Sequence, residues 1–423
     1  MFLDNLQHLL YQTYIQLMHR FCQYPELQRL LASERFSPQV RVLALGKAAW
    51  KMASLSIAQL ALRGIAYDGF VLTKHHHSLG ELPGLKILEA GHPLPDEHGL
   101  AASAQIVNWL RGIPAKDDLL ILISGGSSAL FEQLPEGLDL AGLSEIQKQL
   151  LKSGKSIAEM NRERSAHSLL KGGKALQMVK SKQVRIFAVS DVEGNDPAVL
   201  GSGPFTPALP GKKIPHGWHF ELPKQQVNYR IVADNRLFCS QLASDLKQQG
   251  FKAHYEEAFL NSSVAAFADV LKEILRKAHS PHFRLRPPFV SVFGGETPLK
   301  VSGPGNGGRC SHLALSLVNV LAKHPNTALF CFATDGCDNI SGSGGASVDS
   351  NSRKELLGAG INTSEAKKNY DSFTALKAIH RILPSPLLAT NVNDVFVLCV
   401  GYDLENPFTP NSRDEYDLFE DLP

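Results

Sequence analysis

The stretch Leu119–Leu130, LLILISGGSSAL, is an uninterrupted apolar segment that ends in two glycines and two serines. An apolar run of this length followed by glycine predicts a buried strand and a tight turn into a helix. Glycines in such a turn let backbone N–H groups converge, and a helix N-terminus adds partial positive charge, so anions are favoured there. A tight strand-to-helix turn with a serine cap explains the stretch equally well on its own. The candidate anion-binding residues are Ser124, Gly125, Gly126, Ser127 and Ser128.

The same strand, turn and helix pattern recurs along the chain. Further apolar strands end at the turns that contain Gly46-Lys47, Gly91-His92 and Asp191, and the same alternation starts again beyond Gln226. Continuous apolar strands that alternate with helices predict a mostly parallel sheet covered on both faces. Ligands of such sheets bind beyond the carboxyl ends of the strands, where all these turns are expected to lie.

The chain length of 423 residues exceeds what one hydrophobic core usually serves, so we expect two domains. The stretch 205–226 is rich in proline and glycine and lacks periodicity, which predicts a linker. The expected fold class is α/β, with two α/β domains at 1–222 and 223–423. Residues 1–32 are predicted to form one helix, which is free to pack on the other domain.

Composition excludes several classes of function. Lysine and arginine number 43 against 41 acidic residues, which leaves no broad field for nucleic acid or a membrane surface. The six cysteines have no CxxC spacing, so the sequence favours neither a disulfide framework nor a structural zinc site. We therefore predict a location in the reducing cytoplasm. There is no signal-peptide pattern and no apolar run of the roughly 20 residues that span a bilayer. Of the possible binding partners, a small-molecule substrate is the one that these observations leave. The sequence does not decide whether the protein forms a homodimer.

Charged side chains collect at the predicted turns. Lys47 could neutralise a phosphate from its strand end, although a solvated turn lysine is the commoner case. Asp191 and Asp335 are the candidate ligands for a magnesium ion that is bridged to substrate phosphates. Asp196 and Asp338 are predicted to cap turns or helices instead.

Histidines and one glutamate stand at other turns. Glu296 follows a strand that ends in two glycines, so a ligand could approach it closely. The run 75–77 consists of three histidines without an accompanying acid pattern, which favours a solvated loop. His92 is the histidine best placed to line the crevice.

Gly303, Gly305 and Gly308 match the spacing GxGxxG of dinucleotide-binding proteins. That fingerprint also needs an acid about 20 residues further on, and 323–325 carries Lys, His and Pro instead. A nicotinamide cofactor is therefore not favoured. We interpret the loop as a second glycine-rich anion cradle, with Arg309 at the start of the following helix.

Together these stretches resemble the class II glycerate 2-kinases, the MOFRL-domain proteins that often carry a hydroxypyruvate reductase label. The matching segments are LALGKAAWKMA, AGHPLPDEHGL, LLILISGGSSALFEQLP, SGKSIAEMNRERS, SDVEGNDPAVLGSGP, GGETPLKVSGPGNGGR, TDGCDN and TNVNDVFVL, in the order of the family. The resemblance implies an N-terminal Rossmann-like domain with a mostly parallel sheet, a C-terminal MOFRL α/β domain and an active site between them. It also implies transfer of the ATP γ-phosphoryl group to the 2-hydroxyl of D-glycerate with Mg²⁺.

Residue by residue, the resemblance makes Lys47 and Arg309 the cationic catalytic residues and Asp191 the third catalytic candidate, with Asp191 or Asp335 as metal ligand. Phosphoryl transfer needs cations around the equatorial oxygens, so the assignment is chemically sensible. The remaining substrate- or phosphate-binding candidates are Arg164, Glu296, Gly305, Gly307, Gly308, Asn391 and Asn393.

Three segments depart from the family pattern. Ser165-Ala166 replaces Lys-His, Cys310-Ser311-His312 replaces Asn-Gln-Glu, and 385–389 (SPLLA) replaces a turn rich in glycine and threonine. Each change removes polar groups from the expected site. A relative with an altered substrate or without activity is therefore the alternative to an intact kinase, and a nicotinamide-dependent hydroxypyruvate reductase is a further one.

Overall fold

The computed structural model describes residues 5–152, 157–208, 210–278, 280, 284–386 and 390–408. The chain divides into two compact units. Unit I is Phe21–Asp234, and unit II consists of the described residues up to Arg20 and from Asn235 onward. The domain boundary at 222/223 stays a prediction; the compact division falls twelve residues later, at the end of a strand.

Unit I contains one eight-stranded sheet. Its strands are β1 (Gln39–Leu45), β2 (Ala66–Lys74), β3 (Leu85–Ala90), β4 (Asp118–Ser124), β5 (Gln183–Ser190), β6 (Lys212–Ile214), β7 (Gly217–Leu222) and β8 (Gln225–Asp234). The spatial order is β3-β2-β1-β4-β5-β8-β7-β6. The first six strands in that order are parallel, and β7 and β6 are antiparallel additions at one edge. The prediction of a mostly parallel sheet is confirmed.

Helices cover this sheet. They are α2 (Pro25–Ser33), α3 (Ala49–Leu62), α4 (Glu97–Gly112), α5 (Ser127–Leu130), α6 (Leu140–Lys152) and α7 (Ile157–Ala166), with short 3₁₀ turns at Leu176–Met178, Glu193–Asn195 and Leu200–Ser202. Every residue of β4 is buried, as expected for a central parallel strand with both faces covered. One cluster of buried apolar residues, between Leu43 and Ile231, is drawn entirely from unit I.

Unit II is a second α/β unit, and the prediction of two is confirmed. Its helices are α1 (Asn5–Phe21), α8 (Asn235–Gln248), α9 (Val264–Lys277), α10 (Arg309–Leu321), α11 (Ser352–Gly358), α12 (Thr363–Lys368) and α13 (Ser372–Ala378). Its strands are β9 (Ala253–Asn261), β10 (Phe289–Glu296), β11 (Thr327–Ala333), β12 (Ser343–Asp349), β13 (Ile382–Pro384) and β14 (Asp394–Val400), in the order β13-β12-β11-β14-β10-β9. Among the described strands of this unit, only β9 and β10 form a parallel pair.

Two predictions about segments are wrong. The stretch 205–226 is not a linker, because β6, β7 and the start of β8 lie within it and extend the sheet. The first 32 residues are not one helix, because Tyr24 adopts a left-handed conformation before Pro25 opens α2. Proline fixes its own φ and lacks an N–H, so it favours the first turn of a new helix over the interior of a longer one.

No helix within the described ranges is long and apolar enough to cross a membrane. The predicted acidic tail at 411–423 lies outside the described residues.

Candidate functional site

The turns after β1 and β4 lie side by side in unit I because these strands are parallel neighbours. Gly46 follows β1 with a φ of 113°, and Gly126 follows β4 with a φ of 88°. A side chain at Gly46 would collide with the hydroxyl and carbonyl oxygens of Ser124. Position 46 therefore requires glycine, because its backbone conformation is left-handed and because the turn after β4 approaches it closely.

Hydrogen bonds join these two turns. The Lys47 N–H donates to the Gly125 carbonyl over 3.0 Å, and the Ala48 N–H donates to the Ser124 hydroxyl over 3.0 Å. The same hydroxyl donates to the Leu45 carbonyl at 3.3 Å and is completely buried. Ser124 thus holds the turns together in this structure, and its contact with an anion stays a prediction.

Lys47 and His92 both lie against Gly126. A Cβ atom built on Gly126 would stand 3.2 Å from Lys47 Cγ and 3.1 Å from the Cδ2 atom of His92. The structure therefore brings Lys47 to the glycine–serine turn, and it places His92 at the same strand ends, as the sequence predicted.

The serines after Gly126 differ from each other. Ser127 is 1% exposed, and its hydroxyl has no hydrogen-bond partner among the described residues. Ser128 exchanges a hydrogen bond of 2.9 Å with the hydroxyl of Ser202. A buried hydroxyl without a partner is costly, and a ligand oxygen could satisfy it. The helix behind this turn, α5, has only four residues, so its end carries less partial charge than the sequence led us to expect.

Sequence reasoning missed the segment that faces Ser127 and Ser128. Gly201, Ser202 and Gly203 all have positive φ, at 59°, 62° and 59°. A side chain on Gly201 would collide with the Ser127 hydroxyl. The signal was present in the sequence as the motif LGSGP, but only the fold shows which turn it contacts.

The acids after β5 have separate roles. Asp191 follows the strand directly and is partly buried. Asp196 accepts a 2.9 Å hydrogen bond from the Ala198 N–H, which confirms its predicted turn-capping role. Asn195 donates to the Asp234 carboxylate at the end of β8 over 2.6 Å. A role for Asp191 in binding a ligand or a metal stays a prediction.

In unit II, Arg309 begins α10, as predicted, and is held by two acids. Its NH1 group donates to Glu296 over 2.6 Å, and its NH2 group donates to Asp394 Oδ1 over 3.2 Å. Its Nε atom also lies 3.0 Å from Asp394 Oδ2, in a poorly aligned geometry that leaves this oxygen without a true hydrogen bond among the described residues. Although burial opposes it, the charges of Asp394 and Glu296 hold the pKa of Arg309 above its usual range.

Asp394 is a member of this cluster that sequence reasoning did not single out. The residue is 1% exposed, and burial raises the pKa of its carboxyl group to about 7, against the opposing effect of Arg309. Its signal was an acid at the start of the apolar run DVFVLCV. Glu296 contacts Arg309 and is half exposed, and its contact with a ligand stays a prediction.

The β11–β12 turn supplies two aspartates with different functions. Asp338 accepts hydrogen bonds of 2.9 Å from the N–H groups of Cys310 and Ser311, so its predicted capping role is confirmed. Asp335 is partly buried and accepts a hydrogen bond of 3.1 Å from the Cys337 N–H.

The glycine-rich loop before Arg309 packs against protein atoms. The Gly305 N–H donates to the Asn369 carbonyl at 2.8 Å, and the Gly308 N–H donates to the Ser311 hydroxyl at 2.9 Å. Side chains on Gly305 or Gly307 would collide with 369–372. These glycines serve close packing here, and their binding of phosphate stays a prediction.

The departures from the family pattern fall in different environments. Cys310, Ser311 and His312 are all buried, and the ring of His312 stacks on Tyr370 with centroids 4.9 Å apart. These substitutions therefore change internal packing of α10. Leu387, Leu388 and Ala389 lie outside the described residues, as does the SGKS motif at 153–156.

The remaining predicted residues are placed as follows. Arg164 is partly buried near the end of α7, next to Ser165, whose carbonyl accepts a hydrogen bond from Lys174. Asn391 is 8% exposed, and the Asn393 carbonyl accepts a 2.6 Å hydrogen bond from the Thr334 hydroxyl. Their contacts with substrate stay predictions.

Comparisons with known proteins agree with this arrangement. Residues 15–213 match a domain of unknown function, DUF4147, and residues 289–394 match the MOFRL family. The chain is 32% identical to D-glycerate 2-kinase of Thermotoga maritima over 85% of this chain and 90% of that protein. It is 31% identical to glycerate 2-kinase of Pyrococcus horikoshii over 86% and 87% of the two chains.

Among solved structures, the crystal structure of glycerate kinase from Thermotoga maritima matches with a TM-score of 0.80 at 29% identity. The match covers 93% of this chain and all of that one. The similarity thus extends over both units. The chain belongs to the class II glycerate 2-kinase family, the proteins that carry a MOFRL domain.

Proposed function

We propose that this protein catalyses transfer of the γ-phosphoryl group of ATP to the 2-hydroxyl of D-glycerate, which gives 2-phosphoglycerate. The observation that carries the proposal is the identity of 32% to a D-glycerate 2-kinase of which the chain covers 90%. The turns of unit I support it, because a lysine, a glycine turn and a buried unpartnered hydroxyl suit an anionic substrate.

In this proposal the glycine–serine turn binds an anionic group. We assign this group as the carboxylate of glycerate. Ser127 donates its hydroxyl to that group, and Gly126 leaves room for the group to approach the backbone. Lys47 provides a positive charge over the same turn. Because these groups are fixed by the joined turns, they would need little rearrangement as charge develops on the phosphoryl oxygens.

Arg309 provides the second proposed cation. A guanidinium has five N–H donors, and the contacts with Glu296 and Asp394 orient the group through its NH1, NH2 and Nε atoms. The second hydrogens of the two terminal nitrogens remain for phosphoryl oxygens. Asp394 therefore acts as a positioning residue in this proposal.

Magnesium would enter with the nucleotide. Mg²⁺ commonly keeps several waters and binds through one or two carboxylates together with substrate phosphates, so a single strand-end aspartate suffices. Asp191 and Asp335 have the required carboxylates and positions at strand ends, and either would hold the ion. Bound Mg²⁺ would neutralise charge on the phosphate oxygens.

The test is an assay with ATP, Mg²⁺ and D-glycerate in which ³¹P NMR identifies the product. We expect 2-phosphoglycerate, and Lys47→Met should lower kcat about 10²- to 10³-fold, the usual effect of removing one group that stabilises transition-state charge. Lys51→Met, four residues further on and within α3, is the matched control and should retain activity.

Two other outcomes would redirect the proposal. Loss of nicotinamide absorbance with hydroxypyruvate would instead indicate a reductase. Binding of ATP or glycerate in calorimetry without any turnover would indicate a relative whose departures at 165–166, 310–312 and 385–389 have abolished catalysis.

We also propose that the protein works in the cytoplasm. All six cysteines are free, and five of them are buried, which suits a reducing compartment. Homodimer formation stays a prediction that the mass in solution would test.

A further inference from the structure

A cluster of two histidines and one aspartate lies in unit I. His75 stands in the turn after β2, and Asp96 and His98 stand at the start of α4. His75 Nε2 lies 2.8 Å from Asp96 Oδ2, and His98 Nδ1 lies 3.5 Å from the same oxygen. The sequence predicted a solvated histidine loop without an accompanying acid pattern. The loop is partly exposed, with His76 at the surface, but the fold brings Asp96 to His75 from the turn after β3.

The spacing of these three atoms suits one metal ion. All three candidate ligand atoms lie within 4.8 Å of one another. Four ligands about 2.05 Å from a tetrahedral zinc ion stand roughly 3.3 Å apart, and the two distances to Asp96 Oδ2 fall on either side of that value. A small shift of the exposed His98 ring would therefore complete the geometry.

Asp96 is already arranged as a ligand that binds through one oxygen. Its Oδ1 atom accepts a 2.8 Å hydrogen bond from the Gly99 N–H, which caps α4, while its Oδ2 atom faces both histidines.

The turn that carries His75 is also fixed. The Glu89 carboxylate accepts hydrogen bonds from the N–H groups of His76 at 3.1 Å and Ser78 at 3.0 Å, and from the Ser78 hydroxyl at 2.6 Å. These hydrogen bonds fix the backbone that follows His75, and a fixed backbone holds a ligand in place more precisely than a loose one.

We infer that His75, Asp96 and His98 form a binding site for a divalent transition metal of the zinc class. Two imidazoles and one carboxylate favour Zn²⁺, Co²⁺, Ni²⁺ or Cu²⁺ over Mg²⁺, which prefers oxygen ligands. The His98 side chain is 74% exposed, so water or an added ligand would take the open position. The site does not include Asp191 or Asp335, and the inference does not depend on the proposed kinase activity.

The test is a titration of the metal-free full-length protein with Co²⁺ and Zn²⁺ in the absence of nucleotide. We expect visible absorption bands of bound Co²⁺ at one equivalent, which Zn²⁺ abolishes and excess Mg²⁺ does not. His98→Gln should weaken Zn²⁺ binding at least about tenfold, since loss of a mere supporting partner already costs that much.

Two further variants separate a metal ligand from a structural residue. Asp96→Asn should keep the cap of α4, because asparagine caps helices as well as aspartate, and should still lose the metal. His8→Gln removes an exposed histidine of α1 and should bind Co²⁺ as the wild type does. The inference is overturned if the wild type shows no Co²⁺ bands, or if His98→Gln and Asp96→Asn bind Zn²⁺ as tightly as the wild type.

Discussion

At the scale of single residues, Gly126 combines a left-handed backbone with a crowded neighbourhood. Gly126→Ala would strain the backbone by about 1–2 kcal/mol and would push against the side chains of Lys47 and His92. Gly64 has a φ of 67° and open space around it, so Gly64→Ala carries the strain without the crowding. We expect both variants to unfold at lower urea concentration, but only Gly126→Ala to lose phosphoryl transfer. Equal activity of the two variants would contradict the placement of Lys47.

Asp394 predicts a pH dependence of stability. Its pKa of about 7 in the folded protein is raised by burial above the unfolded value near 4, so folding favours the protonated form. The stabilisation is therefore complete below about pH 4 and is lost as the pH rises towards 7.

Asp394→Asn isolates this effect. The unfolding free energy of the wild type, relative to that of the variant, should decline by on the order of 1 kcal/mol per pH unit across that window. Urea denaturation from pH 4 to 8 measures it, with the exposed Asp269→Asn as control. A difference that is flat or rises with pH would mean that Arg309 outweighs burial at this site.

At the scale of structural elements, a buried ion pair connects two segments of unit I. Lys171 lies in the segment after α7, and Glu132 lies in the segment after α5. Lys171 and Glu132 are in contact with side chains 3% and 1% exposed, and Ser168 donates a further hydrogen bond to Glu132. Lys171→Met would leave a buried carboxylate unpaired, which typically costs about 3–5 kcal/mol. Adding Glu132→Gln removes that charge while keeping an acceptor for Ser168.

We therefore expect the double variant to unfold at a higher denaturant concentration than Lys171→Met alone. If instead the two substitutions destabilise additively in equilibrium unfolding, the pair does not act as a unit.

At the scale of the whole molecule, each unit contains a buried apolar cluster made only of its own residues. Every residue of one buried apolar cluster lies within unit I, and every residue of the other lies between Val264 and Val400 of unit II. A domain with its own core can fold alone. The fragment 21–234 should therefore show cooperative thermal unfolding by circular dichroism, and a non-cooperative melt would contradict the division.

The part of unit II from Asn235 onward should need α1 for its stability, although the two segments are distant in sequence. The Tyr14 ring stacks on Phe332 with centroids 3.9 Å apart, and Gln7 donates to the buried Asp349 over 3.0 Å. The fragment 235–423 should be less stable than the same fragment fused to 1–20 by a flexible linker. Loss of buried aromatic packing of this size costs about 3–5 kcal/mol, and equal urea midpoints would disprove the role of α1.

The sequence by itself determined the α/β class, the central parallel strands and the turns where Lys47, Gly126 and Arg309 stand. Local patterns suffice for these, because an apolar run that ends in glycine constrains its own backbone and the carboxyl ends of parallel strands share one edge. The capping roles of Asp196 and Asp338 were predictable for the same reason, since each depends on the preference of aspartate for turns and helix ends.

Only the tertiary structure decided which distant residues meet. Strand order, which no local pattern encodes, decides three features of this protein. They are the contact of Asp394 with Arg309, the position of Asp96 between His75 and His98, and the strands formed by 212–222. The packing of α1 on unit II likewise follows from the burial of Tyr14 against Phe332. Long-range contacts of this kind are selected by the free energy of the whole core, so the residue that completes a site becomes known only when the chain has folded.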